Sequence, residues 1–426
     1  MILIRAATVI GSRGLERADI LVVQDRIAEI APELTQPAGA KKVEAHQWLA
    51  LPGLIDIHVH LREPGGVHKE DFYTGTQAAL AGGVTTVLGM PNTTPPITDE
   101  ATLEAALALA RQKAVCDFGL YVGATQDNVR TAAKLQNAVG LKMYMGSSTG
   151  TLLVDRFEDQ YAHLANYPTD RVVAVHAENE EAMRYFEKRG ERRPPLCATL
   201  ETSRAIQMAR TLKRSLHICH LSTAQEIRMV REAKERGEPV TCEVTPHHLF
   251  LSTDVEQHLG SLGQMNPPLR SVEDVDALWD NLKYVDAIAT DHAPHTLEEK
   301  NSDHPPSGVP GLETMLPLLL TAVHQKQLDW NDLVRLTSSG PATLFGLERK
   351  GRLAPGYDAD IVLVDPDAQW TVKGEQLLTR CGWTPFEGWL AWGQVKQVYL
   401  RGQLAFAGGQ VLVAPGTGRQ VRLRRK

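Results

Sequence analysis

Two histidines flank Val59 in "DIHVHLREPG" (residues 56–65), and Arg62 follows two positions after His60. Alternate side chains of an extended strand share one face, so two imidazoles and a guanidinium can reach one site. His58 and His60 at this spacing can bind a single ion, with Zn–N distances of about 2.0–2.1 Å; two surface histidines are the simpler alternative. Other polar residues end or follow apolar runs in the same way: Asn92 after "GVTTVLG", His176 in "RVVAVHA", His220 in "LHICHLS" and Asp291 at the end of "VDAIATD". Taken singly, His176 and His220 read as core histidines and Asp291 as a helix N-cap, although Pro294 speaks against a helix starting there.

Lys142 lies inside the apolar run "GLKMYMG". An ammonium near several cations is disfavoured by desolvation and by like charge. Either the side chain points outward and reaches solvent, or its amine has combined with carbon dioxide as a carbamate, an anionic ligand able to bridge two metals. Two divalent ions a few Å apart lower the pKa of water towards neutrality and polarise a carbonyl. A carboxylate beside the attacking water can take and return its proton, a role that falls to Asp291. Arg62 could hold a substrate carboxylate through two parallel bonds; a surface salt bridge is its alternative.

These residues need a frame that brings strand ends together. Eight short apolar runs, at residues 53–59, 83–89, 118–124, 140–146, 171–177, 216–222, 239–245 and 285–291, alternate with helix-like stretches such as "DEATLEAALALARQKA". That alternation predicts a parallel α/β fold, a (β/α)8 TIM-type barrel over residues 50–350, in which strand C-terminal ends meet at one mouth. A doubly wound open sheet is the alternative, disfavoured by the strand count. Residues 1–49 and 351–426 read as short strands with turns, each set too small to stand alone. They are expected to pair into one small composite β-sandwich. Residues 296–311, "TLEEKNSDHPPSGVPG", read as a long loop that could cover the substrate.

With 426 residues, 43% hydrophobic and 23% charged, the chain has an ordinary globular composition. A formal charge of −6 offers no general attraction to nucleic acid or anionic lipid. The basic end "GRQVRLRRK" is expected to be a solvated tail. The five scattered cysteines form no CxxC pair and suit a reducing cytoplasm. Neither a secretory signal nor a membrane-spanning run is read in the chain.

Together "DIHVHLREPG", "MPNTTPP", "LKMYMGSSTG", "HAE", "NPPLR" and "ATDHAPH" resemble the bacterial dihydroorotases of the amidohydrolase superfamily, and "GRLAPGYDADIVLVDP" extends the likeness to the terminal domain. The resemblance implies two zinc ions per chain. His58, His60 and Asp291 would hold one, His176 and His220 the other, and a carboxylated Lys142 would bridge them, as in the lysine-bridged branch. It also implies that Asn92 and His295 help Arg62 grip the substrate carboxylate, that Asn266 meets the pyrimidine ring through its backbone, and that Ser307 and Gly308 lie against that ring. His247 and His248 stay outside the metal set. The implied reaction interconverts L-dihydroorotate and N-carbamoyl-L-aspartate in pyrimidine biosynthesis. A hydantoinase, dihydropyrimidinase or allantoinase is the alternative enzyme, and a non-catalytic partner of aspartate transcarbamoylase the alternative class. A homodimer and an active complex with that transcarbamoylase are both left open.

Overall fold

The computed structural model describes residues 1–11 and 14–424. Its parallel strands follow one another in chain order. One ladder joins Leu54–Val59, Val84–Gly89 and Asp117–Leu120; a second runs through Val122–Gly123, Gly140–Tyr144, Val172–His176, Leu216–Ile218, Val240–Val244 and Ala287–Ile288. Residues 117–123 carry the chain from one ladder into the other at Tyr121. At the far ends, Val59 bridges His292, and the His60 amide donates to the His292 carbonyl at 2.8 Å. Most of these strands are buried along their whole length, as expected for parallel strands covered on both faces.

The helices between them carry local start signals. Thr223 caps Ala224–Glu235 in a box completed by Glu226, and Asp99 caps Glu100–Lys113 with Thr102, each cap contributing about 1 kcal/mol. Leu103, Ala106, Leu107 and Ala110 recur at helical spacing and are buried. Residues 296–311 are not wholly irregular: Thr296 and Glu299 form another capping box, which starts the short helix Leu297–Lys300.

Both termini contribute to one nine-stranded sheet. Ile361–Thr371 lies antiparallel to Leu49–Pro52, pairing Ile361 with Pro52 and Val364 with Leu49. Side chains alternate across that seam: Ile361 and Leu363 pack into a core with Ile4, Ile20 and Ile27, whereas Val362 and Val364 face the large core of the parallel strands and helices. The terminal strands are hydrogen-bonded as one continuous sheet, with register shifts along Ile361–Thr371 and Leu390–Leu400 that let a sheet bend. One difference from the sequence reading lies in the basic C-terminal segment: its described part, residues 418–424, docks its backbone while Arg419, Arg422 and Arg424 stay exposed, and residues 425–426 lie outside the described residues. The Phe118 amide donates to the Arg419 carbonyl, the Val421 amide to the Phe118 carbonyl, and Leu347 bridges Leu423. Backbone pairing is indifferent to side-chain charge, so a run of arginines does not prevent it.

Lys350 fastens the two parts together. Its buried ammonium lies 2.5 Å from Asp117, 2.7 Å from Asp360 and 3.1 Å from Asp358. No helix among the described residues is long and apolar enough to cross a membrane.

Candidate active site

The C-terminal ends of the parallel strands surround a closed pocket. His58, His60, Lys142, His176, His220 and Asp291 all line it, together with Arg62, Asn92, Asn266, Ser307 and Gly308. A larger cavity of about 1240 Å³ lies elsewhere, around residues 339–348 and the C-terminal segment, and none of these donors reaches it.

At the floor, His58 and His60 use the strand alternation to present Nε2 inward. His58 Nδ1 pairs with Glu243 behind it, and its Nε2 stands 3.3 Å from Asp291 Oδ1. His60 Nδ1 is 2.7 Å from Asn92 Oδ1, and its Nε2 is 3.0 Å from the same Asp291 oxygen. Tying one ring nitrogen fixes the orientation and leaves the other as a donor to a ligand. Glu243 in turn accepts from His217 at 3.0 Å. Across the pocket, His176 Nδ1 and His220 Nε2 approach to 3.0 Å. Lys142 is fully buried, pointing inward; Nζ is 3.0 Å from Cys219 Sγ and 3.5 Å from His58 Nε2, with no carboxylate bonded to it among the described residues.

Electrostatics prepares these groups for a cation. Burial takes the His60 imidazole down to about 4 against the pull of Asp291, and burial with His176 and Lys142 lowers His220 further. Burial would raise Asp291, but His58 and His60 prevail and hold it well below the usual carboxylate range. Neutral imidazoles and an ionised carboxylate are the forms that bind metal. His176 Nε2 lies 3.0 Å from Glu178 Oε2, whereas His220 Nδ1 is buried without a hydrogen-bond partner among the described residues, a cost of about 1–3 kcal/mol that a bound ion could relieve. His58, His220 and Asp291 bring ligand atoms within 4.8 Å of one another, as do His58, Cys219 and Glu243. The donor set therefore fits divalent cations. His220 and Asp291 also hold left-handed backbone, with φ 37° and 47°, a conformation that non-glycine residues pay for and that clusters at functional sites.

The rim is assembled differently. The first strand stops at Val59, so Arg62 does not lie on its face as expected; at φ 61° it turns out of the strand direction. Its Nε donates to the Pro294 carbonyl at 3.0 Å, and Nη2 is 3.0 Å from His295 Nε2. Burial lowers its pKa to about 10, which leaves it charged at neutral pH. His295 is absent from the pocket wall: it stands behind Arg62, with Lys69 Nζ 3.1 Å from its Nδ1. Asn92 donates to the Thr149 carbonyl at 2.8 Å, and Thr149 Oγ1 to the Ser307 carbonyl at 3.2 Å. Gly308 has φ 140°, and a Cβ there would meet the Ala293 carbonyl at 2.6 Å, so the loop needs glycine at this point.

Several contributors escaped the sequence reading. Glu243 sits inside the apolar run "PVTCEVT", a carboxylate in a buried strand that could have been noticed. Arg192 Nη2 reaches Met265 O, Asn266 Oδ1 and Ser307 Oγ at 3.2, 3.3 and 3.0 Å, from a segment without periodicity. Tyr144 Oη is buried and unpartnered among the described residues, and Tyr144 lines the pocket. The two histidines that the sequence reading set outside the metal ligands differ: His247 lines the pocket with its Nε2 free of partners among the described residues, whereas His248 faces away and bonds the Pro267 carbonyl at 3.1 Å.

Comparison with known proteins agrees with this architecture. Residues 49–405 match the model of the amidohydrolase family. A dihydroorotase of Pyrococcus abyssi is 39% identical over 91% of this chain and 91% of its own length; one of Methanosarcina acetivorans is 38% identical over 88% and 86%. The multifunctional protein CAD of Squalus acanthias is 44% identical over 89% of this chain, which spans 16% of that much longer protein. Among solved structures, an L-hydantoinase (dihydropyrimidinase) from Arthrobacter aurescens superposes with a TM-score of 0.94 at 28% identity, covering 99% of both chains.

Proposed function

Since the chain belongs to the amidohydrolase family, we propose that its reaction is the reversible hydrolysis of L-dihydroorotate to N-carbamoyl-L-aspartate in pyrimidine biosynthesis. The observation that carries this reading is Arg62: a buried, charged guanidinium on the pocket wall, held by a carbonyl and an imidazole, with no carboxylate bonded to it among the described residues. Such a group calls for an anionic partner from the substrate. Hydantoin and dihydrouracil lack a carboxylate at the matching ring position; dihydroorotate has one.

The fold we propose is a (β/α)8 barrel over residues 50–350 with a composite domain from residues 1–49 and 351–426. The seam of that domain extends through Pro52, and residues 419–423 return to pair with Phe118 and Leu347. His58, His60, Asp291, His176 and His220 would hold two zinc ions, bridged by Lys142 as its carbamate. The buried Lys142 amine, with no carboxylate within 4.0 Å among the described residues, supports that modification, which would turn an unfavourable cation into an anionic ligand. When bound, the metals would make water acidic enough to attack at neutral pH and would polarise the amide carbonyl.

The chain's own residues do the rest. Asp291 is ionised, and its Oδ1 lies within 3.3 Å of both His58 and His60 Nε2. It accepts the proton that water loses and returns it to the leaving ring nitrogen. Arg62 and Asn92 hold the carboxylate; His295 acts on it through Arg62. Asn266, Ser307 and Gly308 enclose the ring. His58, His60, Arg62, Lys142, His176 and His220 are buried, which strengthens their charge interactions.

The structural likeness to hydantoinases supports the second reading, a hydrolase of uncharged cyclic amides. A panel of dihydroorotate, dihydrouracil, hydantoin and allantoin with zinc-loaded protein separates the two: turnover confined to dihydroorotate is expected, and preference for an uncharged ring would overturn the proposal. All six ligand positions lining one pocket speak against a non-catalytic partner. The match to about a sixth of a multifunctional protein supports work beside other activities, in a complex with aspartate transcarbamoylase.

A further inference from the structure

Lys300 is fully buried, yet its amine meets no carboxylate among the described residues. Its three donors go to three backbone carbonyls: Pro306 at 3.0 Å, and Gln264 and Gly308 at 3.2 Å each. The Trp383 ring lies 5.5 Å away on another side. The neighbouring acid, Glu299, is spent elsewhere, 3.0 Å from Lys69 and 3.1 Å from His68. Burying an ammonium against dipoles alone is costly. Burial, with Arg192 and Arg62 adding like charge, takes this group down to about 7. A leucine or methionine would fill the same space without that cost, so the charge calls for a reason.

The three carbonyls supply one. Gln264 leads into Met265 and Asn266, and Pro306 and Gly308 flank Ser307. The ammonium therefore ties together the two loop segments that form the ring-binding side of the rim. It does so from outside the pocket, since Lys300 does not line it. The Gly308 amide reinforces the same junction, donating to the Gln264 carbonyl at 2.9 Å. Trp383 extends the knot: its indole Nε1 donates to the His295 carbonyl at 2.7 Å, and His295 backs Arg62.

We propose that Lys300 is a positioning residue, whose amine sets the spacing of the Asn266 and Ser307–Gly308 segments and thereby governs how tightly the pocket holds its substrate, without taking part in bond breaking. This rests on the dihydroorotase reading for the identity of that substrate. A group acting only on binding changes KM and leaves kcat. In zinc-loaded Lys300→Met the KM for dihydroorotate should rise about tenfold or more while kcat stays within about threefold, an effect of the size expected for losing charge-assisted bonds. Metal content should match the parent.

A second readout is independent of turnover. Amide hydrogen exchange of substrate-free protein should speed at Gly308 by about tenfold or more in Lys300→Met, through local opening of the rim, with the strand-end residues unchanged. Should Lys300→Met fail to fold, Lys300→Gln, which keeps a donor but no charge, should show the same two changes at smaller amplitude. Unchanged KM and unchanged exchange at Gly308 would overturn the proposal, as would a fall in kcat at constant KM. A parent that does not turn over dihydroorotate would instead overturn the substrate reading, and the exchange measurement would still decide the role of Lys300.

Discussion

At the floor of the pocket, side chains arrive from strand ends buried on both faces, and each is aimed by a neighbour in the same rigid frame: Glu243 behind His58, Asn92 behind His60. At the rim, Arg62, Asn266 and Ser307 ride on loops, and they are placed by long cationic side chains reaching backbone carbonyls. A strand end can be moved only by shifting a ladder of hydrogen bonds. A loop held by an arginine or a lysine can be loosened by one substitution. The floor suits chemistry that needs atoms fixed within a fraction of an ångström, and the rim suits selection and release of substrate.

This contrast can be broken or sharpened by substitution. The largest effect is expected at the floor. Replacing His58 or His220 by Ala should remove bound divalent metal and, with it, nearly all turnover, and prolonged chelation of the parent should do the same; metal analysis beside a rate assay checks both. Asp291→Ala should lower kcat by about 10³-fold or more, the range for a lost acid–base group, and a rate near that of the parent would assign proton transfer elsewhere. Arg62→Met comes next: kcat/KM for dihydroorotate should fall by roughly 10²-fold, corresponding to about 3 kcal/mol from a lost charged pair, with metal content intact. The smallest change belongs to Arg192→Ala. Its side chain is more than a third exposed, so solvent screens its bonds to Asn266 and Ser307, and KM should move by no more than about threefold. If Arg192→Ala outweighed Arg62→Met, the division between floor and rim would be misplaced.

The floor was the more legible region in the amino-acid sequence. Strand ends announce themselves because an apolar, β-branched run stops at a polar residue, and the barrel rule then sends those ends to one mouth. Glu243 carried a readable signal as a carboxylate within such a run, but its partner His58 lies 185 positions away and no local pattern connects them. The rim was less legible, because loops have no period. Arg62 was expected on the strand face, and the left-handed turn that redirects it leaves no trace in residue types. His295 carries a ligand-like side chain, and only the tertiary arrangement puts it behind Arg62 instead of in the pocket. Lys300 and Arg192 sit in charged segments that read as solvated surface. At the termini, alternation identified the strands, while the bends and pairings that join them into one sheet depend on contacts between residues hundreds of positions apart.

The central claim is that Arg62 makes a general cyclic-amide site selective for an acidic substrate. Its most direct test is the ratio of kcat/KM for dihydroorotate to that for dihydrouracil, measured in zinc-loaded parent and in Arg62→Met. The account predicts a large ratio in the parent that collapses by roughly 10²-fold in the variant, because only the substrate with a carboxylate loses a bond. An equal ratio in the two proteins would contradict it.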